Sequence, residues 1–203
     1  MNTFSTLKTS IARWLGQDDL TTYIPDFLEI AQVRVNRLLR IRAMEDTASL
    51  STVAGQDYVA LPTDFIGMRG VYIDGTHQYR LQYLTPEQLN NQNHDSGRPR
   101  FFTIRGDNMV FAGNADAVYS VKLSYYKKLS LLSNTNTSNW FTTNFPHLYL
   151  YGSLQAAAEF IQDDAQVQKW SALFQNAIRE IEESDQREKY GPAPVIMTEG
   201  ARW

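Results

Sequence analysis

Val118-Tyr119-Ser120-Val121-Lys122-Leu123-Ser124-Tyr125-Tyr126 alternates with a period of two. Tyr119, Val121, Leu123 and Tyr125 take one side, and Ser120, Lys122 and Ser124 the other. That is the pattern of a strand with one buried and one wet face in an antiparallel sheet. The stretch lies between two chain ends that read at helical spacing, so the fold is neither all-helical nor all-β.

Working back from it, the period of two extends to about Asp46. Val71 and Ile73 alternate with Tyr72, Asp74-Gly75 is a tight-turn signal, and His77 to Leu81 can return as the paired strand. Gly106-Asp107-Asn108 links Phe101–Arg105 to Met109–Ala112 in the same way. Thr85-Pro86-Glu87-Gln88 interrupts the strands with a capping box, which opens a short helix. Residues 90–100 read as loop, with Gly97 and Pro99. Lys127-Lys128 closes the Tyr-rich strand and reads as an edge-strand guard against aggregation.

The N-terminal end carries two amphipathic helices. Phe4, Leu7, Ile11, Trp14 and Leu15 form one stripe, which Gly16 can end in the left-handed conformation. A second helix starts near Thr22 with Pro25 in its first turn, and Ile24, Leu28, Ala31, Val35, Leu38 and Leu39 line its apolar side. Arg34, Arg37, Arg40 and Arg42 crowd its C-terminal half, where positive charge complements the helix dipole. The same arginines could instead meet an acidic partner surface or a phosphate backbone.

Beyond a polar loop at residues 133–139 two longer helices follow. Asn144 is placed to cap the first and Pro146 lies in its first turn. Gly152, Ser153, Ala156 and Ala157 flank its stripe, and such small residues let neighbouring helices approach closely. The last helix begins near Asp163-Asp164 and buries Val167, Trp170, Phe174, Ala177, Ile178 and Ile181. The same face continues as Ser184, Asp185 and Glu188, so its last turns should project from the core, held by Glu183–Arg187 and Asp185–Lys189 pairs.

The fold class expected is α+β: a helical bundle from the N- and C-terminal helices, a central antiparallel β-rich insert, and an extended C-terminal tail. The expected boundaries are 1–45 for the first helices, 46–127 for the insert, 128–190 for the returning helices and 191–203 for the tail. Pro192 and Pro194 stiffen that tail, and Val195, Ile196, Met197 and Trp203 make it too apolar for an idle end. It could lie along another subunit or fill its pockets.

Composition narrows the chemistry. The 203 residues are 43% hydrophobic and 20% charged, which suits a globular chain, and the net charge of −3 does not mark a nucleic-acid binder. With no cysteine there is no thiolate nucleophile, disulfide or Cys-based zinc site, as befits folding in a reducing cytoplasm. No apolar run reaches the ~20 residues of a membrane span. His77, His94 and His147 form no i,i+4 metal pair. Asp18-Asp19 and Asp163-Asp164 sit where helices start and read as dipole partners. No phosphate-binding glycine loop or nucleophile elbow occurs. The expectation is no enzyme, no metal and no cofactor.

Several motifs occur in one order: Leu61-Pro62-Thr63-Asp64-Phe65 before the strand ending at Asp74-Gly75, then Thr85-Pro86-Glu87-Gln88-Leu89, then Gly97-Arg98-Pro99 before Phe102-Thr103-Ile104. Val121–Tyr126 and Asn139-Trp140 follow, and Asn144-Phe145-Pro146 precedes Leu148-Tyr149-Leu150-Tyr151-Gly152. Together, from Leu61 to Tyr190, they resemble the head-to-tail adaptor (neck) proteins of short-tailed bacteriophages, the group that includes tail tubular protein A. The resemblance implies a ring subunit at the virion neck, made in the host cytoplasm and bound beneath the portal protein with its twelvefold symmetry. It implies a platform for a downstream tail or nozzle protein, DNA passing through the ring without sequence-specific binding, and no membrane. It gives the tail a portal-reaching role. Glu183, Asp185 and Glu188 would then face the channel, and Arg34, Arg37 and Arg40 a charged partner. The rival expectations are a receptor- or carbohydrate-binding module using the Tyr-rich sheet, and a hydrolase assembled from distant carboxylates.

Overall fold

The computed structural model describes residues 1–75 and 78–190, apart from the side chain of Tyr190. In chain order the helices are α1 (Phe4–Leu15), α2 (Ile24–Leu38), α3 (Pro86–Asn90), α4 (Trp140–Asn144), α5 (Pro146–Phe160) and α6 (Asp164–Tyr190). The strands are β1 (Glu45–Ser51), β2 (Tyr58–Ala60), β3 (Phe65–Ile73), β4 (Tyr79–Arg80), β5 (Gln82–Tyr83), β6 (Phe101–Arg105), β7 (Asn108–Phe111) and β8 (Ser120–Lys127). With 47% helix and 22% strand the fold is α+β. The chain divides into two compact units, one from residues 1–43 and 129 onward, the other Met44–Lys128.

In the helical unit, α1 starts at a Thr3 capping box and ends at Gly16 with φ of 62°. Phe4, Leu7 and Ile11 are buried, whereas Trp14 stays half-exposed and sets its ring against Trp170 at 5.8 Å. Asp18 and Asp19 occupy the first turn of a 3-10 helix that leads into α2. The apolar side of α2 continues from Val35 to the buried Leu39, so Leu38 faces outward. Asn144 does not cap α5. It ends the short helix α4, which Asn139 caps through a capping box, and its amide donates to the Trp140 carbonyl at 2.9 Å. Phe145 holds the N-cap place of α5 without a side-chain hydrogen bond, and Pro146 opens that helix.

Helix α5 packs against both α2 and α6. Gly152 makes this possible: a Cβ there would lie 2.9 Å from Ala31 Cβ and 3.0 Å from the Phe174 ring. Two polar residues one turn apart on α2 hold the chain where it returns to this unit. The buried Gln32 accepts the Leu132 N–H at 2.5 Å. Asn36 accepts the Leu129 N–H at 3.0 Å and donates to the Leu129 carbonyl at 3.1 Å. A buried backbone amide left unpaired would cost about 1–3 kcal/mol, so these bonds specify where the segment lies.

The β unit contains two four-stranded sheets, ordered β1-β8-β3-β4 and β2-β7-β6-β5. Val121, Leu123 and Tyr125 of β8 are buried as the alternation requires, together with Val71, Ile73, Phe102, Met109 and Phe111. The strand starts at Ser120, later than its periodicity suggests, and Val118 is 70% exposed. Most pairing is antiparallel, but β5 runs parallel to β6. The hairpin after β3 pairs Ile73 with Tyr79, which leaves residues 74–78 between the strands and makes the turn longer than a two-residue one. His77 lies outside the described residues.

Lys127 is not an edge guard. Strand β8 lies between β1 and β3, and Lys127 bonds Asp46 of the neighbouring strand at 2.7 Å. That hydrogen bond holds the Asp46 carboxyl below its ordinary value.

Replacing Gly152 by valine should destabilise the protein by about 2–3 kcal/mol through overpacking against α2 and α6. Thermal and urea melts followed by far-UV circular dichroism test this, and a variant as stable as the parent would contradict it.

Candidate interaction surfaces

In the helical unit the arginines after mid-α2 separate in role. Arg34 makes a bidentate pair with Glu159, at 3.1 and 2.6 Å. This pair, ahead of any other influence, holds the Glu159 carboxyl below its ordinary value of 4.5. Arg40 donates to the carbonyls of Asn36 and Leu39, satisfying acceptors at the end of α2. Arg37 is exposed. Arg42, which the periodicity merely grouped with the others, bonds the Glu188 carboxylate, and its backbone N–H donates to Asp185 at 2.8 Å.

The last turns of α6 are therefore anchored to the segment that follows α2. Asp185 is only 12% exposed at its side chain and also takes Lys189 at 2.8 Å. Glu183 pairs with Arg187 at 3.3 Å and remains largely exposed. Beside this cluster Trp140, Asn144, Ile181 and Ser184 line a cavity of about 290 Å³. Pro192, Pro194, Val195, Ile196, Met197 and Trp203 lie outside the described residues.

The outward side of α2 exposes apolar side chains. Ile30 and Val33 are 43% and 44% exposed, at the spacing of one helix face. Asp26 and Glu29 stand beside them, and the group lines a shallow groove of about 430 Å³ with Arg34 and Arg37. Next to the start of α2, Tyr23 stacks near Phe160 at 5.2 Å, and Phe160 is 54% exposed. Aromatic and aliphatic side chains exposed together and rimmed by charge mark an interaction surface.

The β unit has a different surface. Arg80, Arg98 and Arg100 surround an open concavity of about 430 Å³ with Tyr79, Gln82 and Phe101. Arg98 lies over the Tyr79 ring at 4.4 Å and the Tyr119 ring at 5.6 Å. Tyr79 is itself tied to the Pro99 carbonyl, and Tyr119 donates to Asp116 at 2.7 Å. The guanidinium is thus positioned before any ligand arrives.

The two described histidines lie on different units. His147 lies 3.5 Å from Glu180 on the helical unit, and the His94 ring lies 3.3 Å from the Asn90 carbonyl oxygen on the β unit. Among the described residues no three His, Asp or Glu side chains gather as a metal would require. Tyr125 is a core residue whose hydroxyl donates to Asp64 at 3.0 Å; burial first, then that bond, pushes its pKa up to about 12. The Tyr-rich alternation therefore supplies packing on its inner face. Among the described residues no helix is long and apolar enough to cross a membrane.

The profile of the SU10 adaptor protein family matches residues 2–198. This chain belongs to that family. It is a phage structural adaptor, a virion component that interacts with other head and tail proteins. The match takes in the first sixty residues, where the motif comparison had nothing to hold on to. Amphipathic helices tolerate many apolar combinations, so α1 and α2 carry little recognisable local pattern. No curated protein matches the chain.

The Arg34–Glu159 pair makes a pH-dependent contribution with a definite sign. The folded pKa of Glu159 is lowered, so its stabilisation is present above about pH 4.5 and is lost as pH falls through the folded value. Glu159→Gln in this adaptor should therefore cost about 0.5–1 kcal/mol at pH 7, and the difference should shrink as pH is lowered from 7 into the acid range below 4.5. Urea midpoints of both proteins across that range are the measurement; a constant difference would exclude the ion pair as its cause.

Proposed function

We propose that this adaptor binds the portal protein as a ring, extends the DNA channel and offers a platform to the downstream tail or nozzle protein. The observation that carries the reading is the family match over residues 2–198, nearly the whole chain. The exposed apolar face of α2 and Phe160 supports it, since a protein that works by assembly needs such a surface and an enzyme does not. The adaptor acts without catalysing a reaction. Its position is the virion neck.

Ring contacts are heterologous: one patch meets a different patch on the next copy, and rotation closes the circle, twelvefold when it follows the portal. Glu183 and Glu188, both exposed on α6, are placed in this reading on the channel wall, where negative charge keeps DNA from adhering. Asp185 helps to hold that helix end through Arg42. Arg37 is the α2 arginine left to meet a partner, since Arg34 and Arg40 bond within the unit. Pro192, Pro194, Val195, Ile196, Met197 and Trp203 serve as the portal contact.

Mixing the adaptor with the purified portal of the same phage, with and without residues 191–203, tests both parts by electron microscopy. Rings are expected on the portal with the full chain and loss of binding without the tail. Binding unchanged by the deletion would remove the tail from the interface, and no binding by the full chain would overturn the ring reading.

A further inference from the structure

We infer that the arginine concavity of the β unit is a carboxylate receptor, and that its ligand is the first half of α2 from a second copy of this chain. The inference rests on the ring reading and names the two patches that ring contacts would join.

The receptor side is built for planar anions. Among the described residues no carboxylate forms a salt bridge with Arg80, Arg98 or Arg100. Arg98 is held over the Tyr79 and Tyr119 rings, and a guanidinium so held offers planar N–H donors to a forked acceptor. Holding the side chain in advance lowers the entropy cost of binding. Arginine mixed with tyrosine and phenylalanine is also the composition of protein–protein contact centres.

The charge around the concavity favours a carboxylate over a nucleic-acid backbone. Residues 44–128 hold eight basic and nine acidic side chains, so the three arginines are a local spot on a nearly neutral unit. A duplex presents a long series of phosphates and is met by a basic stripe. A spot of three suits two or three carboxylates.

The matching surface is on the other unit. Asp26 and Glu29 are exposed, and neither has a salt-bridge partner among the described residues. They flank the exposed Ile30 and Val33 on the shallow groove of α2. An acid-and-aliphatic face therefore has as its counterpart an arginine-and-aromatic concavity. The two are different patches, and a head-to-tail contact joins different patches. Arg34 is already paired with Glu159, and Arg37, exposed on the same groove, stands about two turns beyond Glu29, so the attraction is confined to the first half of the helix. Such charge pairs act mainly on orientation and encounter rate, so they would set which way successive copies face.

The test is a charge swap in the portal-templated assembly assay, with circular dichroism to verify folding. Arg80→Glu with Arg100→Glu should lower ring yield on the order of tenfold, as should Asp26→Lys with Glu29→Lys. A mixture of the two double variants can close an alternating ring with every contact complementary, whereas the quadruple variant restores the pairing within one kind of subunit, so it is the critical case. It should recover assembly to within about threefold of the parent. Either double variant assembling like the parent, or a folded quadruple variant that stays defective, would overturn the inference. If the parent itself forms no ring, the ring reading fails first and this contact falls with it. A labelled 30-base-pair duplex is the last arm: binding by the parent that Arg80→Glu with Arg100→Glu abolishes, with rings unaffected, would make the concavity a phosphate site and refute the proposal.

Discussion

The close approach of α5 to α2 and α6 at Gly152 governs the helical unit. With hydrogen in place of a side chain, Ala31 from one helix and the Phe174 ring from another both reach the α5 backbone. The neighbouring positions reinforce this, since Ser153, Ala156 and Ala157 are all buried. The unit is therefore packed by neighbouring side chains set directly against the α5 backbone. A glycine inside a helix costs about 1 kcal/mol in propensity, and close packing is the compensation here.

That packing needs the chain to come back to α2 in one place after leaving it at residue 43. Gln32 and Asn36 supply the condition. Both are polar residues on a helix that is otherwise apolar inward, and both spend their hydrogen bonds on the backbone of residues 129–132. Hydrophobic burial alone would let the returning segment slide along α2; hydrogen bonds to particular amides do not. In the β unit the corresponding role falls to β8, which is paired on both sides and sends Val121, Leu123 and Tyr125 into the core.

The surfaces left over are of two chemical kinds. The helical unit exposes aliphatic and aromatic side chains beside carboxylates on α2, while the β unit exposes arginines held by tyrosines. A structural adaptor of the phage virion works through contacts with other head and tail proteins, and surfaces of these kinds suit such contacts. The helical end near Arg42 illustrates the difference between charge and availability. Asp185 looks like a surface acid by position, but its side chain is mostly buried and bonds a backbone amide.

Sequence by itself determined the element types. The 3.6 and 2.0 periodicities follow from local backbone geometry, so the long helices, the Phe101–Phe111 hairpin and β8 could be read directly. The cap at Thr85 was legible for the same reason, since it depends on residues three apart. Where two local solutions competed, the tertiary structure decided: Asn139 took the cap and Asn144 became the end of a separate short helix. Long-range pairing was equally out of reach. Nothing near Lys127 in the chain reveals that β1 and β3 flank it, or that β5 joins β6 in parallel. The candidate sites follow this rule most strongly. Arg98 becomes a positioned guanidinium only because the rings of Tyr79 and Tyr119, some twenty residues away on either side, are brought beside it. Periodicity records which side of an element is apolar, but only folding brings separated charges and rings to one place.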